Sequence, residues 1–134
     1  MFDPIKFVAV GGSMLLATTA GALEDIPAVP SGLSVSLQEV LTDHMQDGTT
    51  ALRLRFIAPE IGDDAVTYAT VADDFFALCE GVGLPQMAES GQVIDQIIVS
   101  FSDRETAFGV ANPDATQYFE VFTLENDTCI WEAF

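Results

Sequence analysis

Positive charge is what this sequence has least of. Against 21 Asp and Glu stand 4 Lys and Arg, with a single His, for a net charge of −17 at neutral pH. A field of that sign repels phosphate backbones and anionic lipid, so nucleic-acid and membrane-surface binding are not expected. It suits cationic partners, or a salty medium in which the charges are screened. Residues that carry chemistry are the second shortage. One histidine, His44, and two cysteines, Cys79 and Cys129, leave no zinc set of the common nitrogen–sulfur type. No Ser sits in a GxSxG elbow, and no glycine-rich phosphate or dinucleotide loop is present. No cofactor and no metal site is therefore expected. Carboxylates are abundant, but Asp63-Asp64, Asp73-Asp74 and Asp103/Glu105 lack the alternating oxygen ligands of a calcium loop. They read as solvated turns and helix-start acids. Internal repeats and low-complexity tracts are also missing.

The amino-terminal region is apolar. Phe7 to Leu23 carries no charge, Lys6 stands just before it, and Ala20-Gly21-Ala22 closes it with small residues. Base, apolar run and small-x-small is the layout of a cleavable secretory signal. The run includes Gly11, Gly12 and Gly21 and falls short of the roughly 20 strongly apolar residues of a spanning helix. The expected organisation is a signal peptide over 1–22, an extended Pro-containing leader over 23–32, and a single domain over 33–134. Removing the signal takes away one acid, Asp3, and one base, Lys6, so the balance is unchanged and no stable membrane insertion is expected. The expected location is periplasmic or secreted. In an exported chain an even cysteine count predicts a disulfide, Cys79 to Cys129. Closing a loop of about 50 residues would stabilise the fold by about 4 kcal/mol. A metal pair or redox dithiol would want CxxC spacing or a neighbouring His, and neither is present.

The patterning predicts an α+β fold. Leu33-Ser34-Val35-Ser36-Leu37-Gln38 alternates and runs on unevenly through Leu41; Asp47-Gly48 is a turn signal; Leu52-Arg53-Leu54-Arg55-Phe56 alternates again with its arginines on the wet face. The two read as an antiparallel hairpin. Val71, Phe75, Leu78 and Val82 draw one apolar stripe along a helix. Thr67 or Thr70 is placed to cap it, Asp73 and Asp74 suit its first turn, and Gly81 or Gly83 followed by Pro85 should end it. Strands are then expected around Ile94 to Phe101, Thr106 to Val110, Gln117 to Leu124 and Cys129 to Trp131, with a tight turn at Glu125-Asn126-Asp127. The order ββαβββ(β) predicts a two-layer sandwich, one main helix on a mostly antiparallel sheet of five to six strands.

Asp114-Ala115-Thr116-Gln117-Tyr118-Phe119-Glu120, the ending Cys129-Ile130-Trp131-Glu132, Leu78-Cys79 before Gly83-Leu84-Pro85, and Leu52 to Pro59 resemble an uncharacterised family of small secreted proteins from marine-type alphaproteobacteria. The resemblance implies a periplasmic domain of unknown function and supplies no site. On charge and on the missing catalytic set, the expected function is a non-catalytic interaction module, an accessory subunit or inhibitor that binds a basic protein. Its contact face is expected on the aromatic strand, at Tyr118, Phe119, Glu120 and Phe122, which carries aromatics on both parities. A small-ligand or cation-binding domain, with a pocket between helix and sheet, is the alternative. A carboxylate-based hydrolase with His44 as helper is a third.

Overall fold

A computed structural model describes residues 26–132; the expected signal segment lies outside them. Two strands open the fold, β1 (Ser36–His44) and β2 (Thr50–Ile57), paired antiparallel as a hairpin. A helical span of 23 residues follows: α1 (Tyr68–Leu78), a wide π turn (Cys79–Gly83) and α2 (Leu84–Ser90). Then come β3 (Gln96–Ser102), β4 (Gln117–Glu125) and β5 (Thr128–Trp131). The strands form one five-stranded sheet in the order β1-β2-β3-β4-β5, so the architecture is α+β. All pairs are antiparallel except β2 with β3, which is parallel. The helical span carries the chain back across the sheet between these two strands, and a crossover of that length is what parallel pairing requires.

The core lies between helix and sheet. Leu52, Leu54 and Phe56 of β2 and Ile97, Val99 and Phe101 of β3 alternate inward and meet Val71, Phe75 and Leu78 of α1, all nearly inaccessible. Strand periodicity of two and helix periodicity of 3.6 place these sets on facing surfaces. Phe101 is central: it stacks on Phe75 with ring centroids 4.7 Å apart and meets Phe56 edge-on at 6.1 Å. Cys79 and Cys129 are joined by a disulfide that ties the end of α1 to β5. The amide of Cys129 also donates to Glu80 Oε2 at 3.1 Å.

Five expectations are corrected. Gly83 and Pro85 do not end the helix. A proline in a regular helix lacks the N–H donor and collides with the carbonyl four residues back. Here the chain widens by one residue, with the Leu84 amide donating to Cys79 O, and Pro85 sits in the first turn of α2, which stops instead at Gly91 with φ 67°. Asp73 and Asp74 are not first-turn acids, because the helix starts earlier, at Tyr68 with Thr67 as its cap. Asp74 is fully buried and accepts hydrogen bonds from the Ser31 amide (2.9 Å) and hydroxyl. The described part of the leader, 26–32, is accordingly not a simple extended strap: Val29 is buried, the Gly32 amide closes a turn on Val29 O at 2.9 Å, and Ser31 is pinned to the helix. Finally, 106–110 is not a strand. The segment after β3 crosses the outer face of the sheet, so the arginines are not on a wet face: Arg55 is only 9% exposed.

A bulge explains how that segment is held. The β1–β2 register steps between Leu37 and Glu39, leaving Gln38 as the extra residue. Its side chain reaches Thr106, donating to the carbonyl at 2.8 Å and accepting from the amide at 3.4 Å. Arg55 donates to the same Thr106, to its carbonyl at 3.1 Å and hydroxyl at 2.9 Å.

Candidate functional site

Successive residues of β4 point to opposite faces. Tyr118, Glu120 and Phe122 therefore lie on the helix side, where Phe122 is buried in the core and Tyr118 packs against it. Phe119 lies on the outer face, 61% exposed, beside Val121. The four residues expected to form one contact face are thus divided three to one by the pleat.

The helix side of β4 opens at its edge into a groove of about 400 Å³, lined by Tyr68, Ala72, Asp73, Phe76, Glu120, Phe122 and Trp131. Each wall has a local origin. Tyr68, Ala72 and Phe76 recur every four residues, so they form a second stripe on α1 beside the buried one, with the small Ala72 leaving the hollow. Trp131 is the register partner of Phe122 and so shares its face. The two-residue turn Asn126-Asp127, both with positive φ (51° and 60°), is the hairpin geometry that sets this register.

Glu120 sits at the centre. Its Oε1 accepts from the Trp131 indole N–H at 2.7 Å and its Oε2 accepts from the Tyr68 hydroxyl. The carboxylate thus bridges the start of α1 and the last strand. The hydrogen bond to Glu120, helped by burial and by the nearby negative charge, pushes the Tyr68 phenol up to about 12. Tyr68 is further held by stacking on Phe75 (5.8 Å) and an edge contact with Tyr118 (5.9 Å), and Phe76 leans on Phe122 at 6.3 Å. Tyr68, Phe76 and Trp131 nevertheless remain 37%, 44% and 57% exposed, so the rings present free surface around a fixed anion. Such a setting has the chemistry to attract a cation: ring faces do so through their quadrupoles, and each carboxylate oxygen keeps acceptor capacity.

Of the other sequence candidates, His44 lies exposed at the end of β1, sharing a 3.3 Å hydrogen bond with Thr50 Oγ1, four strands' order away from β5 at the far edge. It is not brought to Glu120. The acid pairs are dispersed: Asp63 accepts from the Ala65 amide, Asp73 lines the groove, and Asp103 pairs with Arg104, which holds its carboxyl below the usual range. Among the described residues no group of three His, Cys, Asp or Glu is placed to hold a metal ion. Tyr68, Phe76, Asp73 and Trp131 were not singled out for the site by sequence; the four-residue spacing of Tyr68, Ala72 and Phe76 was the available signal.

Residues 11–134 match the model of DUF6497, a family of unknown function. The chain belongs to that family. No match was found among curated proteins or among solved structures. Membership of DUF6497 covers the whole described domain, groove included, and assigns no residue a role.

Proposed function

We propose that this chain is an exported acidic binding module whose groove receives a basic side chain, lysine or arginine, of a partner protein. The observation that carries the reading is the aromatic-walled groove around the doubly hydrogen-bonded Glu120 carboxylate. Its surroundings agree with it. A net charge of −17 would draw a basic partner toward the surface and speed encounter. The groove would then supply the short-range selectivity, since cation–π contact with a partly desolvated ammonium or guanidinium is worth about 0.5–2 kcal/mol. The same field disfavours nucleic acid as partner. Export is supported by the Lys6, Phe7–Leu23, Ala20-Gly21-Ala22 layout and by the disulfide, which suits an oxidising compartment.

The sole tryptophan of the chain, Trp131, lines the groove and is a built-in reporter. Titration with a hexalysine peptide should give a saturable change in its emission, weakened as salt rises. Phe76→Ala and Glu120→Gln should each weaken binding about five- to tenfold, and hexaglutamate should give no change. Binding that is equally strong in both variants would mean diffuse attraction to the acidic surface and would sink the groove reading. Affinity purification from the periplasmic fraction at low salt would then name the partner, and the retained chain's amino terminus would show whether residues 1–22 are removed.

A further inference from the structure

The opposite face of the sheet carries a second cavity, of about 600 Å³, whose chemistry is the inverse of the groove's. The register lays out its floor. Across β1 to β4 the outward rows read Glu39, Arg55, Ser100, Phe119 and then Leu41, Arg53, Ile98, Val121. Ile98 and Val121 are 5% and 7% exposed and form, with Ala51 and Met45, an apolar cluster separate from the main core. The segment between β3 and β4 roofs this floor without filling it. Its base is closed by Asp103 and Thr116, amide to carbonyl at 3.0 Å, and its near end is fixed at Thr106. Between these anchors, Phe108 to Ala111 line the cavity.

Two of the three arginines among the described residues meet here, and they differ. Arg55 is consumed: it pairs with Glu39 and donates twice to Thr106. Among the described residues, Arg53 is bonded only through its Nε, to Asp43 Oδ2 at 2.8 Å. The two terminal nitrogens of Arg53 have no acceptor among the described residues, and the Phe108 ring lies 5.1 Å from its guanidinium carbon. A planar fork of unused N–H donors beside an apolar floor matches one carboxylate bidentately.

We infer that this cavity binds a small amphipathic monocarboxylate, its carboxylate on the terminal nitrogens of Arg53 and its apolar body on Ile98, Val121 and Phe119 beneath Phe108. The size falls within the usual range for small-ligand sites, about 300–1,000 Å³. Single charge follows from the electrostatics. Asp43 and Glu39 already offset both guanidiniums, and the chain's net field opposes further anions, so phosphates and polyanions are disfavoured while one carboxylate held by apolar burial is not. This inference is independent of the groove reading, since it uses no residue of that site.

The probe is sodium decanoate below its micellar concentration, followed by amide and methyl NMR shifts on the purified protein. Saturable shifts centred on Ile98, Val121 and Phe119 are expected, with Trp131 emission unchanged because it lies on the other face. Arg53→Gln should weaken binding at least tenfold, and Arg53→Lys, which keeps the charge but not the fork, should weaken it about three- to tenfold. Arg104→Gln, outside the cavity, should leave it unaltered. Decanol should bind at least tenfold more weakly than decanoate. Circular dichroism checks that each variant is folded, and Phe119→Ala offers a second route that leaves the arginines intact and should also weaken binding. Overturning results would be the absence of saturable shifts, equal binding of decanol and decanoate, or undiminished affinity in folded Arg53→Gln.

Discussion

Glu120 carries the most consequence of any single residue, because one carboxylate joins two elements and, with Asp73, gives the groove its charge. Its hydrogen bond leaves a measurable mark on Tyr68. In an ultraviolet titration one of the two tyrosines should ionise near pH 12, and Glu120→Gln should bring it back toward the ordinary value of about 10. A phenol whose pKa is raised on folding contributes its stability in full below about pH 10 and loses it as pH climbs toward 12. Wild-type protein should therefore unfold more steeply with alkali over that window than Glu120→Gln, as followed by circular dichroism. At this scale the sequence was partly legible. The aromatic strand and its acid were visible as a pattern, and the pleat decided what the pattern could not, sending Phe119 to one face and its neighbours to the other. Asp74 was illegible. Nothing near it in the chain marks it as buried, since its partner Ser31 lies 43 residues away.

Among the elements, the helical span is the informative one. Its apolar stripe was readable, and so was its position over the sheet. The error lay at Gly83-Leu84-Pro85, where local chemistry says stop and the tertiary fold says continue. The π turn resolves the conflict by bringing Gly83 hard against the sheet. A Cβ there would stand 3.0 Å from Ile97 Cδ1 and 3.3 Å from Leu54 Cδ1, both on fully buried side chains that would have to shift within the core. Overpacking of this kind costs about 1–3 kcal/mol, against a gain of at most about 1 kcal/mol from the better helix propensity of Ala. Gly83→Ala should lower the urea midpoint, and Gly83→Val should lower it further. The sheet is mostly antiparallel, as expected, and its one parallel pair, β2–β3, falls where a helix intervenes between successive strands.

For the molecule as a whole, composition was the best guide. The α+β architecture and the Cys79–Cys129 bridge followed from patterning and cysteine count, because both depend on gross periodicity and pairing rather than on detail. The groove and the outer cavity depend on which residues converge from distant segments, and that is hidden in a linear reading. Reducing the disulfide, or replacing both cysteines by Ser, should cost about 3–4 kcal/mol in denaturant unfolding, much of it through the freer unfolded chain.

The bridge and the Ser31–Asp74 bond fasten the leader and the last strand to a single helix. A pull applied to the two ends of the domain would thus be carried by α1 and then by a covalent shortcut. The 50-residue stretch between the cysteines cannot pay out under tension while the bridge holds. In an optical trap, the oxidised protein should extend on unfolding by roughly 170 Å less than the reduced one, at about 3.3–3.6 Å per residue. Oxidation would make this domain a short tether, with the whole of β3 and β4 shielded from load.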